Sequence, residues 1–197
     1  MQVIAISGSP RKQGNTATLL QEAVDACHKA GIKAEVLFLT DYEIKHCDGC
    51  LFCEGTGCSG ECTIKDDMTK IVAPRLLAAD GLIIGTPSYF DLPTGLLKVF
   101  MDRSNAILAE LTEKKLPYGL VVVGQSNMES LSFATQALER FCGICGMECV
   151  PDGHVKAIAR DVADVQRNES NMKAARRLGL SLSRKVLRRI NPTEDTR

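Results

Sequence analysis

The segment that most constrains the fold is 7–16, SGSPRKQGNT, which lies between a short apolar run at 3–6 and a helical pattern. A strand, a turn of small residues and a helix N-terminus form an anion site, because the first N–H groups of a helix lack intrahelical acceptors and its dipole favours negative charge. Gly8 and Gly14 would let the backbone approach a ligand closely, and Arg11 can donate to a phosphate oxygen. The segment therefore predicts a phosphate site at the first turn between strand and helix.

Two common phosphate-binding loops do not fit this segment. A Walker loop has four residues between its first glycine and Gly-Lys-Ser/Thr, whereas five residues separate Gly8 from Gly14 and Asn15 stands in place of the lysine. The dinucleotide fingerprint GxGxxG is absent, because Ser9 and Pro10 interrupt it. The remaining pattern suits one phosphate monoester and predicts a mononucleotide such as FMN. The alternative is an ordinary strand-to-helix turn with a Ser/Thr cap.

Strand and helix patterns alternate along the rest of the chain. This alternation predicts an α/β fold with a doubly wound five-stranded parallel sheet in the order 2-1-3-4-5, in three α/β/α layers. We expect one domain over 1–190, with a cysteine-rich loop inserted at 41–65 and a C-terminal tail at 191–197. The predicted strands are 3–6, 34–39, 81–86, 118–124 and 147–155.

Three prolines bear on the secondary structure. Pro74 predicts a kink or a break in the helix that follows the cysteine-rich loop. Pro93 is expected near the first turn of the next helix, where its missing N–H costs nothing. Pro151 interrupts the fifth predicted strand, and a last helix is expected from about 162 to 190.

Three loops are expected to meet at the carboxyl edge of the sheet, where ligands of doubly wound folds bind. They are 7–16, 87–91 and 124–127. Tyr89 and Phe90 could pack against a flat ring, although both could equally be hydrophobic residues of an ordinary turn. The residues expected to contact FMN are Ser7, Ser9, Pro10, Arg11, Gly14, Asn15, Thr16, Ala17, Pro87, Ser88, Tyr89, Phe90, Asp91, Gln125 and Ser126.

The cysteine-rich loop opens with Cys47, Cys50 and Cys53 at C-x2-C-x2-C spacing, and Cys58 and Cys62 follow. Three thiolates at this spacing on an irregular backbone can reach one metal cluster, and the run resembles the opening of a bacterial ferredoxin motif. A tetrahedral zinc site and a set of structural or redox-active thiols remain open alternatives. The later cysteines, Cys142, Cys145 and Cys149, are expected to be buried core thiols.

Several motifs in 1–105 together resemble the flavodoxin-like NAD(P)H-dependent FMN reductases. The resemblance implies FMN held without a covalent bond, a homodimer or homotetramer with flavins near subunit interfaces, and two-electron reduction by NAD(P)H. It implies no protein acid or base for hydride transfer, because the flavin carries the chemistry. The motifs are Gly8-Ser9-Pro10-Arg11, Gly14-Asn15-Thr16, Gly85-Thr86-Pro87-Ser88-Tyr89-Phe90 and Leu97-Lys98-Val99-Phe100-Met101-Asp102-Arg103.

Within that family, the cysteines followed by Asp66-Asp67-Met68 resemble the iron–sulfur flavoproteins of anaerobic microbes. That resemblance implies a [4Fe–4S] cluster on Cys47, Cys50, Cys53 and either Cys62 or Cys58, with ferredoxin or NAD(P)H as electron donor and a small acceptor. An apparent insertion at 56–60 makes the fourth ligand ambiguous, and the match after Cys62 favours that residue. The alternative is an NAD(P)H-dependent FMN or quinone reductase of the same fold without a cluster. A third class, an electron carrier like flavodoxin, usually has an acidic docking face.

Composition bears on partners and location. The chain has 24 basic and 24 acidic residues and a formal net charge of zero, which supports neither an acidic docking face nor nucleic acid as the main partner. We find no apolar run of membrane-spanning length and no signal-peptide pattern, so the sequence predicts no membrane partner and a cytoplasmic location.

Overall fold

The computed structural model of the chain describes residues 1–54 and 61–190. Three features singled out in the sequence lie outside these residues: Cys58, the apparent insertion at 56–60 and the tail at 191–197.

The described chain forms one parallel sheet with helices on both sides. Five long strands lie in the order β2-β1-β3-β5-β6, and the short β4 pairs antiparallel with β3. The predicted doubly wound sheet is therefore confirmed, with the predicted order for its five long strands and one short strand in addition. The strands are β1 (Gln2–Ser7), β2 (Lys33–Phe38), β3 (Gly81–Tyr89), β4 (Leu92–Pro93), β5 (Pro117–Gly124) and β6 (Glu148–Ile158).

Helices cover both faces of the sheet, which explains why its strands are apolar without alternation. The residues of β1 alternate between two buried clusters: Ile4 and Ile6 pack with the helices on one face of the sheet, and Val3 and Ala5 pack with the helices on the other face. A π-helical turn at Met68–Val72 and 3-10 turns at Leu39–Asp41 and Ser104–Ile107 complete the connections. The helices are α1 (Asn15–Lys29), α2 (Ala73–Ala78), α3 (Gly95–Arg103), α4 (Leu108–Lys114), α5 (Met128–Ile144), α6 (Asp164–Arg167) and α7 (Glu169–Ile190).

The fifth long strand runs three residues beyond its predicted end. Cys149 pairs with Tyr118 and His154 with Leu120, so the residues between them form a bulge in β6. Pro151 lies in this bulge, where it removes no ladder hydrogen bond. The strand then continues to Ile158, and this extension positions a part of the site that the sequence did not reveal.

The helical predictions are confirmed in part. Just before Pro74 the helix divides into two short segments, as expected: the π-helical turn leads directly into α2, with helical backbone at Val72 and Ala73. Pro93 lies in β4, and α3 begins two residues later, at Gly95. The last long helix begins at Glu169 and not near 162, because Asn168 has extended backbone. Among residues 1–54 and 61–190, no helix combines the length and apolar character that crossing a membrane requires.

Candidate functional site

A cleft of about 400 Å³ opens at the carboxyl ends of β1, β3, β5 and β6. The three loops expected at this edge, 7–16, 87–91 and 124–127, all contribute to its lining, and a fourth segment, 159–162, completes it. This is the position at which the crevice of a doubly wound sheet binds its ligand.

The N-terminus of α1 forms one end of the cleft, and its first backbone N–H groups are free to donate hydrogen bonds. Gly14 is the N-cap, its backbone is extended, and no side chain caps the helix. In the part of the chain that the structure describes, the backbone N–H groups of Asn15, Thr16 and Ala17 have no acceptor. Three free N–H groups at the positive end of a 15-residue helix fit a phosphate group.

Arg11 lines the same end of the cleft and forms no ion pair among the described residues. The loop around it is braced by hydroxyls: Arg11 N–H donates to Ser9 Oγ (3.1 Å), and Ser9 N–H donates to Ser7 Oγ (3.4 Å). Ser9 and Thr16 also line the cleft, whereas Ser7, Pro10 and Ala17 do not. The side chains that face an anion here are therefore those of Ser9, Arg11 and Thr16.

The Asn15 side chain, expected to contact the ligand, is occupied within the protein although it lies at the cleft. Its Nδ2 donates to the Asp161 carbonyl oxygen (2.8 Å), and its Oδ1 accepts from the Val165 N–H (3.4 Å). Asn15 therefore ties the start of α1 to the segment after β6, and only its backbone N–H remains free to bind a ligand.

Gly8 has a packing role that the sequence did not predict. A Cβ at this position would lie 2.6 Å from Leu97 Cβ, so only glycine lets α3 pack against the phosphate loop. Thr94, the N-cap of α3, donates its hydroxyl to the Gly8 carbonyl (2.7 Å). The loop is thus held in place from behind by α3.

The other end of the cleft, expected to be a loop over 87–91, is a β-hairpin. Ser88 pairs with Pro93 and Tyr89 with Leu92, so that Phe90 and Asp91 alone form the turn. Both have positive φ, 50° and 64°, as a two-residue hairpin turn of type I′ demands. Positive φ is strained for a bulky residue, and such strain clusters at ligand sites.

The two aromatic residues of this hairpin are presented to solvent beside the cleft. Tyr89 is 47% exposed and Phe90 fully exposed. Asp91 accepts a hydrogen bond from the Ser130 hydroxyl, which fixes the turn against the start of α5. The hairpin therefore holds two exposed aromatic rings on a braced turn at the cleft rim.

The predicted strand ends at Val155 and β6 ends at Ile158, so the prediction omits the cleft residues that follow this strand. The carboxyl end of every parallel strand reaches this edge, and the segment after β6 is joined to β5 by a hydrogen bond from Ala159 N–H to the Gly124 carbonyl (2.8 Å). A predicted strand that continued past the bulge would have placed the residues after β6 at the cleft. These residues are Ala159, Arg160, Asp161 and Val162, and Val123 and Ser130 line the cleft as two further residues that were not expected there.

The cysteine-rich loop lies apart from this cleft, and no described residue lines both the cleft and the cavity beneath the loop. Cys47 and Cys50 are exposed, Cys53 and Cys62 are half-buried, and all four are free thiols. Hydrogen bonds involve three of the sulfurs: Gly49 N–H donates to Cys47 Sγ (3.5 Å), Asn105 Nδ2 donates to Cys53 Sγ (3.4 Å), and Cys50 Sγ lies 3.5 Å from Thr63 Oγ1.

These thiols fit an iron–sulfur cluster by their chemistry, since soft thiolates that accept N–H donors are its usual ligands. Within residues 1–54 and 61–190, however, no three His, Cys, Asp or Glu side chains are grouped closely enough to hold a metal ion. Assembly of a cluster would therefore require these cysteine side chains to move closer together.

A buried ion pair closes the base of the cysteine-rich loop. The Arg103 guanidinium donates to both carboxylate oxygens of Asp66, at 2.6 and 3.0 Å, and the Asp66 carboxylate also accepts from the Lys45 N–H (2.9 Å). Burial acts to raise the pKa of Asp66, but the hydrogen bonds from Arg103 and Lys45 outweigh it and hold that pKa below its usual value. The carboxylate therefore stays ionised and joins both flanks of the loop to α3.

The prediction that Cys142, Cys145 and Cys149 are buried core thiols is confirmed for the first two only. Cys142 and Cys145 are buried on α5 and at its end, and burial raises the pKa of the Cys145 thiol to about 11. Cys149, at the start of β6, is exposed, and its Sγ lies 3.4 Å from His154 Nε2. Cys149 is therefore not a core thiol.

The fold and the cleft are those of a flavin-dependent oxidoreductase, and comparison with known proteins assigns the family. Residues 1–159 match the NADPH-dependent FMN reductases, so the chain belongs to that family and FMN is its cofactor. A solved structure of RosB with a bound riboflavin phosphate derivative, 8-demethyl-8-formylriboflavin-5'-phosphate, superposes with a TM-score of 0.75 at 19% identity, covering 100% of this chain and 82% of that one. This likeness supports the fold.

Among sequence relatives, an iron–sulfur flavoprotein of Methanocaldococcus jannaschii is 33% identical over 192 residues, 94% of this chain and 97% of that protein. An iron–sulfur flavoprotein of Archaeoglobus fulgidus is 43% identical over 104 residues, which span 53% of this chain and 49% of that protein. The resemblance drawn from the sequence motifs is thereby confirmed.

Proposed function

We propose that this protein is an iron–sulfur flavoprotein that takes electrons from NAD(P)H or ferredoxin and passes them to a small acceptor. FMN would occupy the cleft, and a [4Fe–4S] cluster would be held by Cys47, Cys50, Cys53 and Cys62. The observation that carries the proposal is the presence, in one chain, of a helix N-terminus with free N–H donors and of a separate loop with four free thiols.

The chain's own residues divide the binding of FMN between the two ends of the cleft. The N–H groups of Asn15, Thr16 and Ala17 would bind the phosphate, with Arg11 as counter-charge. Tyr89 would flank the flat ring at the other end. When bound, FMN supplies the exchange between two-electron and one-electron transfer.

The cysteine-rich loop supplies thiolate ligands and lies over a cavity with apolar side chains in its lining. A cavity of about 310 Å³ lies beneath it, and its lining includes Cys47, Cys53, Met101, Leu108 and Phe141. Such a base limits the access of water to sulfur ligands and so influences the potential of the metal group. A cluster held there would supply one-electron storage.

A homodimer or homotetramer forms part of the proposal, because large apolar side chains on the hairpin at the cleft and on α5 are exposed. Phe90 is fully exposed, and Leu92, Met128 and Phe133 are each about half exposed. A second copy of the chain would bury these side chains and would bring its own cysteine-rich loop near this cleft, which the loop of the same chain does not line.

Variants of single cysteines test this proposal. In protein purified without oxygen, Cys50→Ala should lose its iron and acid-labile sulfide and still bind FMN, because Cys50 does not line the cleft. Cys149→Ala is the matched control, an exposed thiol outside the loop, and should keep iron, sulfide and FMN.

Full iron and sulfide in Cys50→Ala would refute the ligand assignment. Iron-free wild-type protein that still binds FMN and oxidises NAD(P)H would instead support the alternative, an FMN or quinone reductase without a cluster.

A further inference from the structure

Cys149 and His154 lie five residues apart on β6 and nevertheless contact each other. In a regular strand, two residues at this separation lie about 16 Å apart and point to opposite faces. Here the residues between them leave the ladder with β5, since Cys149 pairs with Tyr118 and His154 with Leu120. The bulge therefore brings Cys149 Sγ to within 3.4 Å of His154 Nε2.

The backbone of the bulge is shaped around the thiol. Asp152 has positive φ (55°), which turns the chain back on itself. A Cβ at Gly153 would lie 2.6 Å from Cys149 Sγ and 2.5 Å from the Val150 carbonyl oxygen, so only glycine leaves room for the sulfur beside the turn. The single thiol proton has two acceptors here, the imidazole and the Val150 carbonyl oxygen (3.5 Å).

A carboxylate from α5 completes this group of side chains. Glu139 Oε1 lies 3.3 Å from the same His154 nitrogen that contacts the thiol. The described residues include no group of three side chains arranged to hold a metal ion, so these contacts suit proton transfer and not coordination. In the part of the chain that the structure describes, no other cysteine sulfur is hydrogen-bonded to an imidazole.

The thiol is accessible but requires a base. Cys149 is exposed as a residue, and β6 is an edge strand of the sheet. Its sulfur is partly covered, and this burial raises the pKa of Cys149; hydrogen bonding to Tyr118 lowers that pKa in part, and the charge of Glu139 adds to the rise. The thiol is therefore protonated at neutral pH, whereas the thiolate is the nucleophile. His154 is in contact with the sulfur and can accept its proton.

We propose that Cys149 is a modification site that reacts with small-molecule disulfides, with His154 as its base. His154 Nε2 takes the thiol proton, the thiolate sulfur bonds to one sulfur of the disulfide, and the S–S bond of the disulfide breaks. The departing thiolate takes the proton from the imidazolium, whose charge Glu139 balances in the interval. The products are a mixed disulfide at Cys149 and one small thiol, and the reaction requires neither FMN nor a metal cluster.

The test measures how fast glutathione disulfide forms a mixed disulfide at Cys149 in the full-length protein. The reaction is stopped with acid, and fragment ions of the peptide 141–156 assign the modified sulfur by mass spectrometry. The same peptide contains Cys142 and Cys145, which are buried and serve as internal controls.

The variant His154→Gln removes the base. Its matched control is His28→Gln, because the His28 imidazole is also near the surface but contacts the Ala34 backbone (2.7 Å) and no thiol. Wild-type protein unfolded in urea gives the rate of the same thiol without its neighbours.

We expect Cys149 at pH 7 to react about tenfold faster in folded than in unfolded wild-type protein, because only about 3% of an ordinary thiol is ionised at this pH. His154→Gln should lose this tenfold gain, and His28→Gln should keep it. Cys142 and Cys145 should stay unmodified in the folded protein.

The pH dependence separates a base from a structural role. Between pH 7 and 8.5 the rate in His154→Gln should rise about tenfold per pH unit, because only the ionised fraction of the thiol reacts. In wild type the rate should rise less steeply, since the imidazole takes the proton. The other titratable or charged groups around the thiol are the same in both proteins: Tyr118 on β5, Glu139 and Cys142 on α5, and the pair of Glu148 with Lys185 of α7.

Equal rates and equal pH slopes in wild type and His154→Gln would overturn the inference. So would a Cys149 that reacts no faster in folded than in unfolded wild-type protein. If His154→Gln does not fold, this second comparison decides alone, because it needs no variant.

Discussion

Arg11 has its charge at the phosphate end of the cleft and no acidic partner among the described residues. A hydrogen bond to a charged group contributes about 1.5–3 kcal/mol. Arg11→Gln should therefore weaken FMN binding by about ten- to a hundredfold. Titration of the apoprotein with FMN, followed by the quenching of flavin fluorescence, measures the affinity.

The adjacent Lys12 offers a control for Arg11, because its amine pairs with Asp41 and its side chain does not line the cleft. Lys12→Gln should bind FMN like the wild type. Riboflavin, which lacks the phosphate, should bind Arg11→Gln and wild-type protein equally. An equal loss of affinity for riboflavin would show that Arg11 supports the fold of the cleft and not the phosphate.

Residue types in the phosphate loop were predictable, and their individual roles were not. Gly8 and Asn15 were both expected to serve the ligand, because a glycine and a short amide fit an anion site. In the structure, Gly8 makes room for Leu97, and the Asn15 amide binds the segment after β6. Both partners are distant in sequence, so local pattern carries no information about them.

At the scale of elements, the contact between α1 and the segment after β6 depends on Asn15. Asn15→Ala removes both hydrogen bonds of the amide, at about 1 kcal/mol each. We expect the free energy of unfolding to fall by about 1–2 kcal/mol and hydrogen exchange to accelerate in 159–167. Urea unfolding and exchange followed by mass spectrometry measure the two effects.

The control for Asn15 lies on the same helix. Gln21→Ala removes an exposed side-chain bond to Asp25 (2.8 Å) and should change the free energy of unfolding by less than about 0.5 kcal/mol. Exchange in 159–167 that is equally slow in Asn15→Ala and wild type would contradict the role assigned to this side chain.

The long elements were predictable because their signals are local, whereas their ends depended on tertiary contacts. The buried runs of β1, β3 and β5 indicate strands by composition alone. The continuation of β6 past Pro151 depends on a bulge against β5, and the hairpin at Phe90 depends on two residues with positive φ that are neither Gly nor Asn. Both errors concern segments at the cleft, so the lining residues predicted from the sequence were incomplete.

For the whole molecule, buried thiols predict a loss of stability at alkaline pH. Burial raises the pKa of Cys145 to about 11, and burial also raises the pKa values of Cys27 and Cys142. Above about pH 8.5, the usual pKa of a thiol, the unfolded chain loses these protons while the folded chain keeps them. The stabilisation is therefore complete below that pH and is lost as the pH rises towards 11.

Each such thiol contributes a slope of up to about 1.4 kcal/mol per pH unit. Urea unfolding under reducing conditions between pH 7.5 and 10.5 measures it. Cys145→Ala should show a shallower decline than wild type above pH 9, whatever its stability at neutral pH. Equal slopes would contradict the assignment of a raised pKa to this thiol.

The family, the fold and the use of FMN follow from both sequence and structure. The electron donor and acceptor, the homo-oligomer and the cytoplasmic location stay predictions. Among these predictions, the cluster matters most to the proposed function. Its four proposed ligands lie in one loop, and the described cysteines of that loop would have to move closer together to bind a cluster.

The most direct test of this claim is one anaerobic preparation of wild-type protein, on which the visible spectrum, flavin, iron and acid-labile sulfide are measured together. We expect one FMN per chain, about four irons and about four sulfides, with broad absorbance beneath the flavin bands. A flavin spectrum without iron or sulfide would contradict the cluster and leave a plain FMN-dependent reductase. A protein that takes up no FMN even when the cofactor is added would contradict both the assignment of 7–16 as a phosphate site and the proposed function.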